Sequence, residues 1–274
     1  MKTAIFTTPA HPPSIGLMEY FRENNHAIDA IILEQGMRKN LSSNERIFRE
    51  SHDRFNRTFK KYPLYRRIGR KVWDSFPFRL KQFIWHNISR LPVLNQYSVE
   101  KYAQSHSIPV YKVNKHSSSL CKQILEQENI QYVLLSSSNW LIKDPLLSMK
   151  NTKIINAHPG YLPKHRGLDS ISWSIVENDP IGYTTYFLDE GVDSGPVLKF
   201  YPIEVKNQDN LLDLFKAFEQ IKPWVFYDTI KKLESGSVIP KNQPREPSPH
   251  RPMSYRELLQ TDQYLRGNLT ASPF

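Results

Sequence analysis

Short apolar runs alternate along the chain with stretches in which apolar residues recur at helical spacing. Five runs have the length of a strand: KTAIFTT (2–8), IDAIILEQ (28–35), IPVYKV (108–113), YVLLSSS (132–138) and KIINAH (153–158). Two helices are predicted between them: SIGLMEYFRENN (14–25), which Ser14 is placed to cap, and SSSLCKQILEQENI (117–130). Continuous apolar strands that alternate with helices are typical of a parallel sheet covered on both faces. The pattern therefore predicts an α/β fold with a doubly wound, mostly parallel sheet, in which ligands bind beyond the carboxyl ends of the strands.

After residue 180 the pattern changes. Two strands, IGYTTYFLDEG (181–191) and SGPVLKFYPIEV (194–205), are joined by a polar turn. A long amphipathic helix follows (209–236), with Asp209 as its predicted cap, a kink at Pro223 and an end at Gly236. A Pro-rich linker (240–252) then leads to one short helix (254–267). We therefore predict a main domain over 1–205 and a C-terminal helical extension over 206–274.

Residues 40–95 interrupt the alternation where one short connection is expected. The chain has a net charge of +10, and residues 38–90 hold 15 Lys and Arg against 4 Asp and Glu, so the remainder is close to neutral. Aromatic residues at helical spacing among the arginines predict a basic helical insertion. Three interpretations stay open: a solvated appendage, a surface that recognises an anionic ligand such as a nucleotide or tRNA, and attachment to an anionic membrane surface.

Composition excludes several classes of protein. A chain of 274 residues with 39% apolar content can bury a full core, and its longest apolar runs are shorter than a membrane-spanning helix requires. The first residues lack the pattern of a secretory signal, so we expect a soluble, cytoplasmic protein. A single cysteine, Cys121, excludes an internal disulfide framework and a cysteine-based zinc site.

The stretch INAHPGYLPKHRG, which begins within the fifth run, carries the candidate chemistry. Side chains alternate along a strand, so Asn156 and His158 point to the same side. An amide can donate a hydrogen bond to an oxyanion, and an imidazole can move protons near neutral pH, which suits acyl transfer. A third, proton-accepting group could come from the turn that follows residue 188, whose acids are Asp189, Glu190 and Asp193. The residues alone leave a structural role for the histidine and the turn open.

Three stretches in this order, SSSNWLIKDPLL, INAHPGYLPKHRG and DEGVDSGPVL, resemble the folate-dependent formyltransferases. These enzymes formylate glycinamide ribonucleotide, methionyl-tRNA or nucleotide-linked amino sugars from 10-formyltetrahydrofolate. The resemblance covers residues 100–205 well and the first strand and helix loosely. It implies a formyltransferase-like Rossmann-type core over 1–205 as the catalytic domain, with 10-formyltetrahydrofolate as formyl donor and no metal.

The resemblance places the family's catalytic trio at Asn156, His158 and Asp193. The acceptor amine would attack the formyl carbon, Asn156 and protonated His158 would stabilise the oxyanion, and Asp193 would take a proton. Replacing any of the three is expected to lower the rate on the order of a hundredfold or more. Tyr186 stands where many members have histidine, so a supporting contact of the trio is expected to differ.

The resemblance also implies where the folate would bind and where the loop would turn. The pterin pocket is expected between two walls: Trp140, Leu141 and Ile142 on one side, and Asp189, Glu190, Gly191 and Val192 on the other. Pro163 falls where the family often has a cis peptide. Candidates for the acceptor side are His11, Lys164, His165 and Arg166.

The favoured acceptor is the primary amine of a nucleotide-linked amino-deoxysugar, an anionic small molecule. The first βα loop, TTPAHPPSIG, has three prolines and one late glycine, which disfavours the phosphate of glycinamide ribonucleotide. Residues 206–274 are predicted to be helical and are shorter than the β-barrel that methionyl-tRNA enzymes append, which disfavours tRNA.

Two alternatives remain, and neither is excluded by the pattern. One is a formyltransferase for another amine, such as an aminoacyl-tRNA or a hydroxyornithine-type small amine. The other is a non-catalytic protein on this fold that binds RNA or a membrane surface. A homodimer is expected only because dimers are the commonest oligomers of soluble proteins.

Overall fold

The computed structural model describes residues 1–9, 11–36, 98–205, 210–244 and 247–267, so the predicted insertion at 40–95 lies outside the described residues. Seven strands form one sheet in the order β3-β2-β1-β4-β5-β6-β7. Their bounds are β1 Thr3–Thr7, β2 Ala30–Glu34, β3 Val110–Val113, β4 Tyr132–Leu135, β5 Lys153–His158, β6 Gly182–Phe187 and β7 Val197–Pro202. The first five strands are parallel, β6 is antiparallel to β5, and β7 is antiparallel to β6. The prediction of a mostly parallel sheet is confirmed.

Helices cover both faces of the sheet, as the continuous apolar strands predict. The described helices are α1 Pro12–Glu23, α2 Val99–Ser105, α3 Ser119–Gln127, α4 Ser170–Val176, α5 Leu211–Glu234 and α6 Tyr255–Leu265. Ile5 packs with α1, α2, α4 and α5 on one face, whereas Ala4 and Phe6 pack with α3 on the other. None of the helices in the described ranges has the length and apolar composition needed to cross a membrane.

Helix α1 begins earlier than predicted. Pro12 and Pro13 occupy its first positions, and His11, rather than Ser14, is the N-cap residue. Proline suits the first helical turn because its fixed φ is helical and its missing N–H would have no partner there. The Ser14 hydroxyl instead lies in a buried cluster, 2.6 Å from the Thr7 hydroxyl and 2.7 Å from that of Ser136. The prediction of Ser14 as cap was therefore wrong.

Helix α5 is capped by Asn210, whose side chain accepts a hydrogen bond from the backbone N–H of Asp213. The predicted cap, Asp209, lies outside the described residues. The helix continues through Pro223, and Gly236 follows its end with a φ of +67°, a conformation that favours glycine. The prediction of Gly236 as the stop is confirmed.

The C-terminal segment, defined as residues 237–244 and 247–253, lies against β7 and the loop that follows β5. Lys241 and Val197 exchange two backbone hydrogen bonds of 2.8 Å. The backbone N–H of His250 donates to the Arg166 carbonyl at 2.8 Å, and that of Leu168 donates to the His250 carbonyl at 3.2 Å. This segment, predicted as a linker, therefore reaches the loop that follows β5.

Candidate active site

Asn156 and His158 lie in the last three residues of β5, at its carboxyl end. Strand β6 runs beside them, with Tyr186 opposite Asn156 and Thr184 opposite His158. Because strand side chains alternate, the amide and the imidazole lie on the same side of the sheet. The side chain of His158 is only 5% exposed.

Asp193 is brought to this strand end by the loop between β6 and β7. Its Oδ2 lies 3.3 Å from Nδ1 of His158 and accepts a 2.9 Å hydrogen bond from the backbone N–H of Gly167. Its Oδ1 accepts a 2.7 Å hydrogen bond from the Tyr186 hydroxyl. Asp193 has a φ of +50°, in the left-handed region that aspartate tolerates better than most residues. The carboxylate, 15% exposed, thus accepts two hydrogen bonds and faces the ring of His158.

The second ring nitrogen of His158 is also engaged. Nε2 donates a 2.6 Å hydrogen bond to the backbone carbonyl of His165. Both ring nitrogens thus face oxygen acceptors, and the doubly protonated imidazolium satisfies both. Gly160 allows this close approach: a Cβ atom there would lie 2.7 Å from His158 Nε2 and 2.7 Å from the His165 carbonyl oxygen. In this arrangement the His158 ring is held between two oxygen acceptors at the strand end.

Asn156 completes the cluster through Tyr186. The Nδ2 of Asn156 donates to the Tyr186 hydroxyl at 3.0 Å, and that hydroxyl donates to Asp193. Asn156 is half-buried and keeps a second amide hydrogen for a ligand. The structure therefore brings the three predicted residues together in one network of an amide, an imidazole and a carboxylate. Such a set can stabilise an oxyanion and accept a proton from an attacking amine.

The two predicted walls of the pterin pocket lie in the loops that follow β4 and β6. Ile142 from the first loop and Leu188, next to the second, pack against the same hydrophobic core cluster. Leu141 and Val192 are apolar but 65% and 50% exposed. In the second loop, Asp189 Oδ1 accepts hydrogen bonds from the backbone N–H of Gly191 and the Ser194 hydroxyl. Apolar side chains exposed on both loops are compatible with binding a flat ring system, and the pterin pocket stays a prediction.

Glu34, the last residue of β2, is a buried acid that sequence reasoning missed. Its Oε1 accepts from the backbone N–H of His116 at 2.9 Å and lies 3.6 Å from the imidazole Nδ1 of that residue. Its Oε2 accepts from the Ser138 hydroxyl at 3.2 Å and from the backbone N–H of Asn139. Glu34 thus fixes the start of the loop that carries Trp140. The sequence feature that could have indicated this role is the position of Glu34, a charged residue at the end of the apolar run AIILE.

Three of the predicted acceptor-side residues make internal contacts. Lys164 lies 2.5 Å from Asp179. The ring of His165 is fully buried, and its Nε2 lies 2.8 Å from the same carboxylate. Arg166, which is 2% exposed, donates to Gln243 Oε1 at 3.0 Å. These contacts stabilise the loop itself, and a role toward an acceptor stays a prediction.

The fourth, His11, lies at the start of α1. Its Nδ1 is 2.8 Å from the Ser14 hydroxyl. Burial, with a further contribution from the charge of Lys222, lowers the pKa of His11 to about 4. The ring is therefore neutral at pH 7, so His11 can offer a hydrogen bond to an acceptor but no positive charge.

Within the described ranges, one group of residues offers three metal-ligand atoms that lie within 4.8 Å of one another: His165, Glu177 and His250. The rings of His165 and His250 are nearly parallel at 17°, with centroids 5.2 Å apart and Nδ1 to Nε2 at 3.1 Å, so they meet edge to edge. Burial lowers the pKa of both rings. An N–H···N hydrogen bond between neutral imidazoles satisfies this geometry, whereas metal ligation needs both lone pairs directed at a third atom. The contact therefore ties the C-terminal segment to the loop after β5.

Gln243, in the C-terminal segment, is a second residue that sequence reasoning missed. Its Nε2 donates to the backbone carbonyls of Asp193 at 3.1 Å and Gly195 at 2.6 Å. Its Oε1 accepts from the Arg166 guanidinium at 3.0 Å. One amide thus connects the loop that carries Asp193 to the loop that follows β5. No local pattern in the sequence marks this residue, because its partners lie 48 or more positions away.

We expect Gln243→Ala to lower the free energy of unfolding by about 1–3 kcal/mol, because it removes the hydrogen bonds that this amide makes to the Arg166 guanidinium and to the carbonyls of Asp193 and Gly195. Urea denaturation followed by circular dichroism measures this change. The matched control is Gln123→Ala, an exposed position on α3, for which a change within about 0.5 kcal/mol is expected. Equal stability of the two variants would show that Gln243 does not hold the loops together.

Comparison with known proteins identifies the family of this chain. The formyl transferase family model matches residues 90–230. Methionyl-tRNA formyltransferase of Caldanaerobacter subterraneus subsp. tengcongensis is 28% identical over 141 residues, which cover 51% of this chain and 46% of that protein. Phosphoribosylglycinamide formyltransferase of Bacillus subtilis is 26% identical over 184 residues, which cover 64% of this chain and 94% of that protein. The chain spans about half the length of the methionyl-tRNA formyltransferases it matches.

Solved structures share the fold. Phosphoribosylglycinamide formyltransferase from Bacillus halodurans superimposes with a TM-score of 0.53 at 18% identity, over 86% of this chain and 97% of that one. A sugar N-formyltransferase from a Shewanella species gives a TM-score of 0.52 at 15% identity, over 91% of this chain and 76% of that one. The cis peptide bond expected at Pro163 is present between Leu162 and Pro163. With the family model matching half of its length, the chain belongs to the formyl transferase family.

Proposed function

We propose that this protein transfers a formyl group from 10-formyltetrahydrofolate to the primary amine of a nucleotide-linked amino-deoxysugar. The convergence of Asn156, His158 and Asp193 at the carboxyl end of β5 carries the proposal. An amide donor, a positive ring and a carboxylate are the groups that acyl transfer to an amine requires. Membership of the formyl transferase family supports the same chemistry.

Each residue of the trio has a separate part in this mechanism. When bound, the folate supplies the formyl group. The second amide hydrogen of Asn156 donates to the oxygen on which negative charge develops. His158, held between Asp193 and the His165 carbonyl, stabilises that charge electrostatically through its protonated ring. Asp193, which accepts hydrogen bonds from the Tyr186 hydroxyl and the Gly167 N–H, would take the proton of the attacking amine, and that proton would pass to the folate nitrogen as its bond to the formyl carbon breaks.

The loop after β1 supports a sugar nucleotide over glycinamide ribonucleotide. A phosphate bound at the start of a helix needs several backbone N–H donors. Pro9, Pro12 and Pro13 have none, and the neutral ring of His11 adds no positive charge. The basic residues between 38 and 90 would favour an anionic diphosphate.

A second candidate is formylation of a different amine, such as an aminoacyl-tRNA. The curated relatives named methionyl-tRNA formyltransferase, at 27–29% identity, favour it. The same basic residues could contact a phosphate backbone.

A panel assay decides between these acceptors. The protein is incubated with 10-formyltetrahydrofolate and, separately, thymidine-, uridine- and guanosine-diphosphate amino sugars, methionyl-tRNA and glycinamide ribonucleotide, and the formamide product is measured by mass spectrometry. We expect turnover with an amino sugar nucleotide and thermal stabilisation by the matching nucleoside diphosphate. Turnover with methionyl-tRNA alone selects the second candidate. Salt-sensitive RNA binding without stabilisation by a folate analogue would contradict an enzyme assignment altogether.

A further inference from the structure

Tyr186 occupies the centre of the network without being one of the three predicted catalytic residues. Its side chain is 1% exposed, and its hydroxyl lies 3.0 Å from Asn156 Nδ2 and 2.7 Å from Asp193 Oδ1. Tyr186 thus contacts two members of the trio, Asn156 and Asp193. Among the contacts of the described residues, no hydrogen bond joins these two directly, and the phenol of Tyr186 links them.

The direction of the two hydrogen bonds is fixed by chemistry. An ionised carboxylate can only accept, so the phenol donates its single proton to Asp193. The phenol oxygen then has only lone pairs left, and it accepts from the amide nitrogen of Asn156. A flipped amide would set its carbonyl oxygen against those lone pairs. The phenol therefore selects one orientation of the Asn156 amide, in which the second N–H remains free.

The phenol keeps this donor role across the neutral pH range. Burial, followed by the nearby charge of Asp193, raises the pKa of Tyr186 well above its ordinary value. The backbone also aims the side chain, because the pairing of β6 with β7 shifts register between Thr185 and Tyr186. Irregular strand positions of this kind commonly re-aim a side chain next to a functional site.

We propose that Tyr186 is a positioning residue, whose hydroxyl holds the Asn156 amide and the Asp193 carboxylate in their reactive orientations. The inference deepens the proposed function and rests on it for its kinetic test. Loss of the hydroxyl would leave the carboxylate without one donor and free the amide to rotate. The substrate and the folate would still bind, because the loops proposed to contact them are unchanged.

Kinetics of Tyr186→Phe test the proposal, with Tyr183→Phe as matched control. Tyr183 is a buried phenol on the same strand, and it donates to the Phe218 carbonyl at 3.2 Å, away from the trio. We expect Tyr186→Phe to lower kcat about tenfold or more and leave KM for 10-formyltetrahydrofolate within about twofold. The acidic limb of its kcat/KM profile should move to higher pH, because a carboxylate that loses a hydrogen-bond donor is protonated more readily.

Tyr183→Phe is expected to change stability but neither kcat nor the pH profile. Tyr186→His, which offers one ring donor and one ring acceptor, should recover part of kcat. If Tyr186→Phe has the kcat and pH profile of the control, the inference is wrong although the enzyme assignment stands.

A measurement that needs no turnover separates this inference from the proposed function. The side-chain N–H signals of Asn156 are assigned by NMR as those that disappear in Asn156→Ala. In the unsubstituted protein, one of these two hydrogens should exchange slowly with solvent. In Tyr186→Phe, the same hydrogen should exchange fast. If this hydrogen exchanges slowly but the protein formylates none of the amines, the positioning contact is supported and the proposed function is wrong. Fast exchange in the unsubstituted protein would overturn the inference, even if Tyr186→Phe does not fold.

Discussion

Asp193→Asn is expected to lower kcat/KM by about a hundredfold or more, with the fold retained. The asparagine has nearly the same shape, but its amide nitrogen cannot accept a hydrogen bond. Asp193 accepts from the Tyr186 hydroxyl and the Gly167 N–H, and it faces the ring of His158. The substitution therefore removes the proton acceptor and the countercharge of the imidazolium together.

Steady-state kinetics with the acceptor identified by the panel assay measure this loss, and circular dichroism checks the fold. Asp213→Asn is the matched control, because Asp213 lies at the exposed start of α5 and pairs with Lys216. A surface ion pair of this kind contributes at most about 1 kcal/mol to stability, so near-normal kinetics are expected. An Asp193→Asn enzyme that is as active as the control would remove Asp193 from the mechanism.

His158→Ala is expected to lower the rate to a similar extent, on the order of a hundredfold. Two effects combine in this variant. The site loses the imidazole that stabilises the developing charge in the proposed mechanism, and the His165 carbonyl loses the donor 2.6 Å away. A buried acceptor left without a partner costs about 1–3 kcal/mol, so the free energy of unfolding should fall as well.

His158→Gln separates the two effects. The glutamine amide can donate to the His165 carbonyl but carries no charge. We expect His158→Gln to recover much of the lost stability and little of the rate. The control is His106→Ala, an exposed histidine at the end of α2. Near-normal turnover of either His158 variant would contradict the assigned role of the ring charge.

The fold was predictable because its signals are local. Ala4, Ile5 and Phe6 alternate between two hydrophobic clusters, as the period of a strand requires. The same period, which needs no knowledge of tertiary contacts, predicts that Asn156 and His158 lie on one side of β5. The predicted start of α1 was wrong because a serine before a helical pattern usually caps the helix. In the structure, tertiary contacts with Thr7 and Ser136 occupy the Ser14 hydroxyl instead.

Family resemblance predicts Asp193 as the third residue of the site, but the sequence does not show how its carboxylate reaches the strand. The turn holds Asp189, Glu190 and Asp193, and alternation cannot rank acids in a loop. In the structure, Asp189 accepts hydrogen bonds from its own turn, whereas Asp193 reaches His158. The left-handed backbone at Asp193 and the Gly167 N–H that meets it decide this outcome.

The sequence by itself determined the layered α/β fold, the strand that ends in Asn156 and His158, and the family motifs around them. Strand and helix periods depend on neighbouring residues, so they can be read along the chain. Only the tertiary structure decided that Tyr186 joins Asn156 to Asp193 and that Gln243 joins their supporting loops. These contacts connect positions separated by up to 77 residues, and their geometry depends on how strands and loops pack in three dimensions.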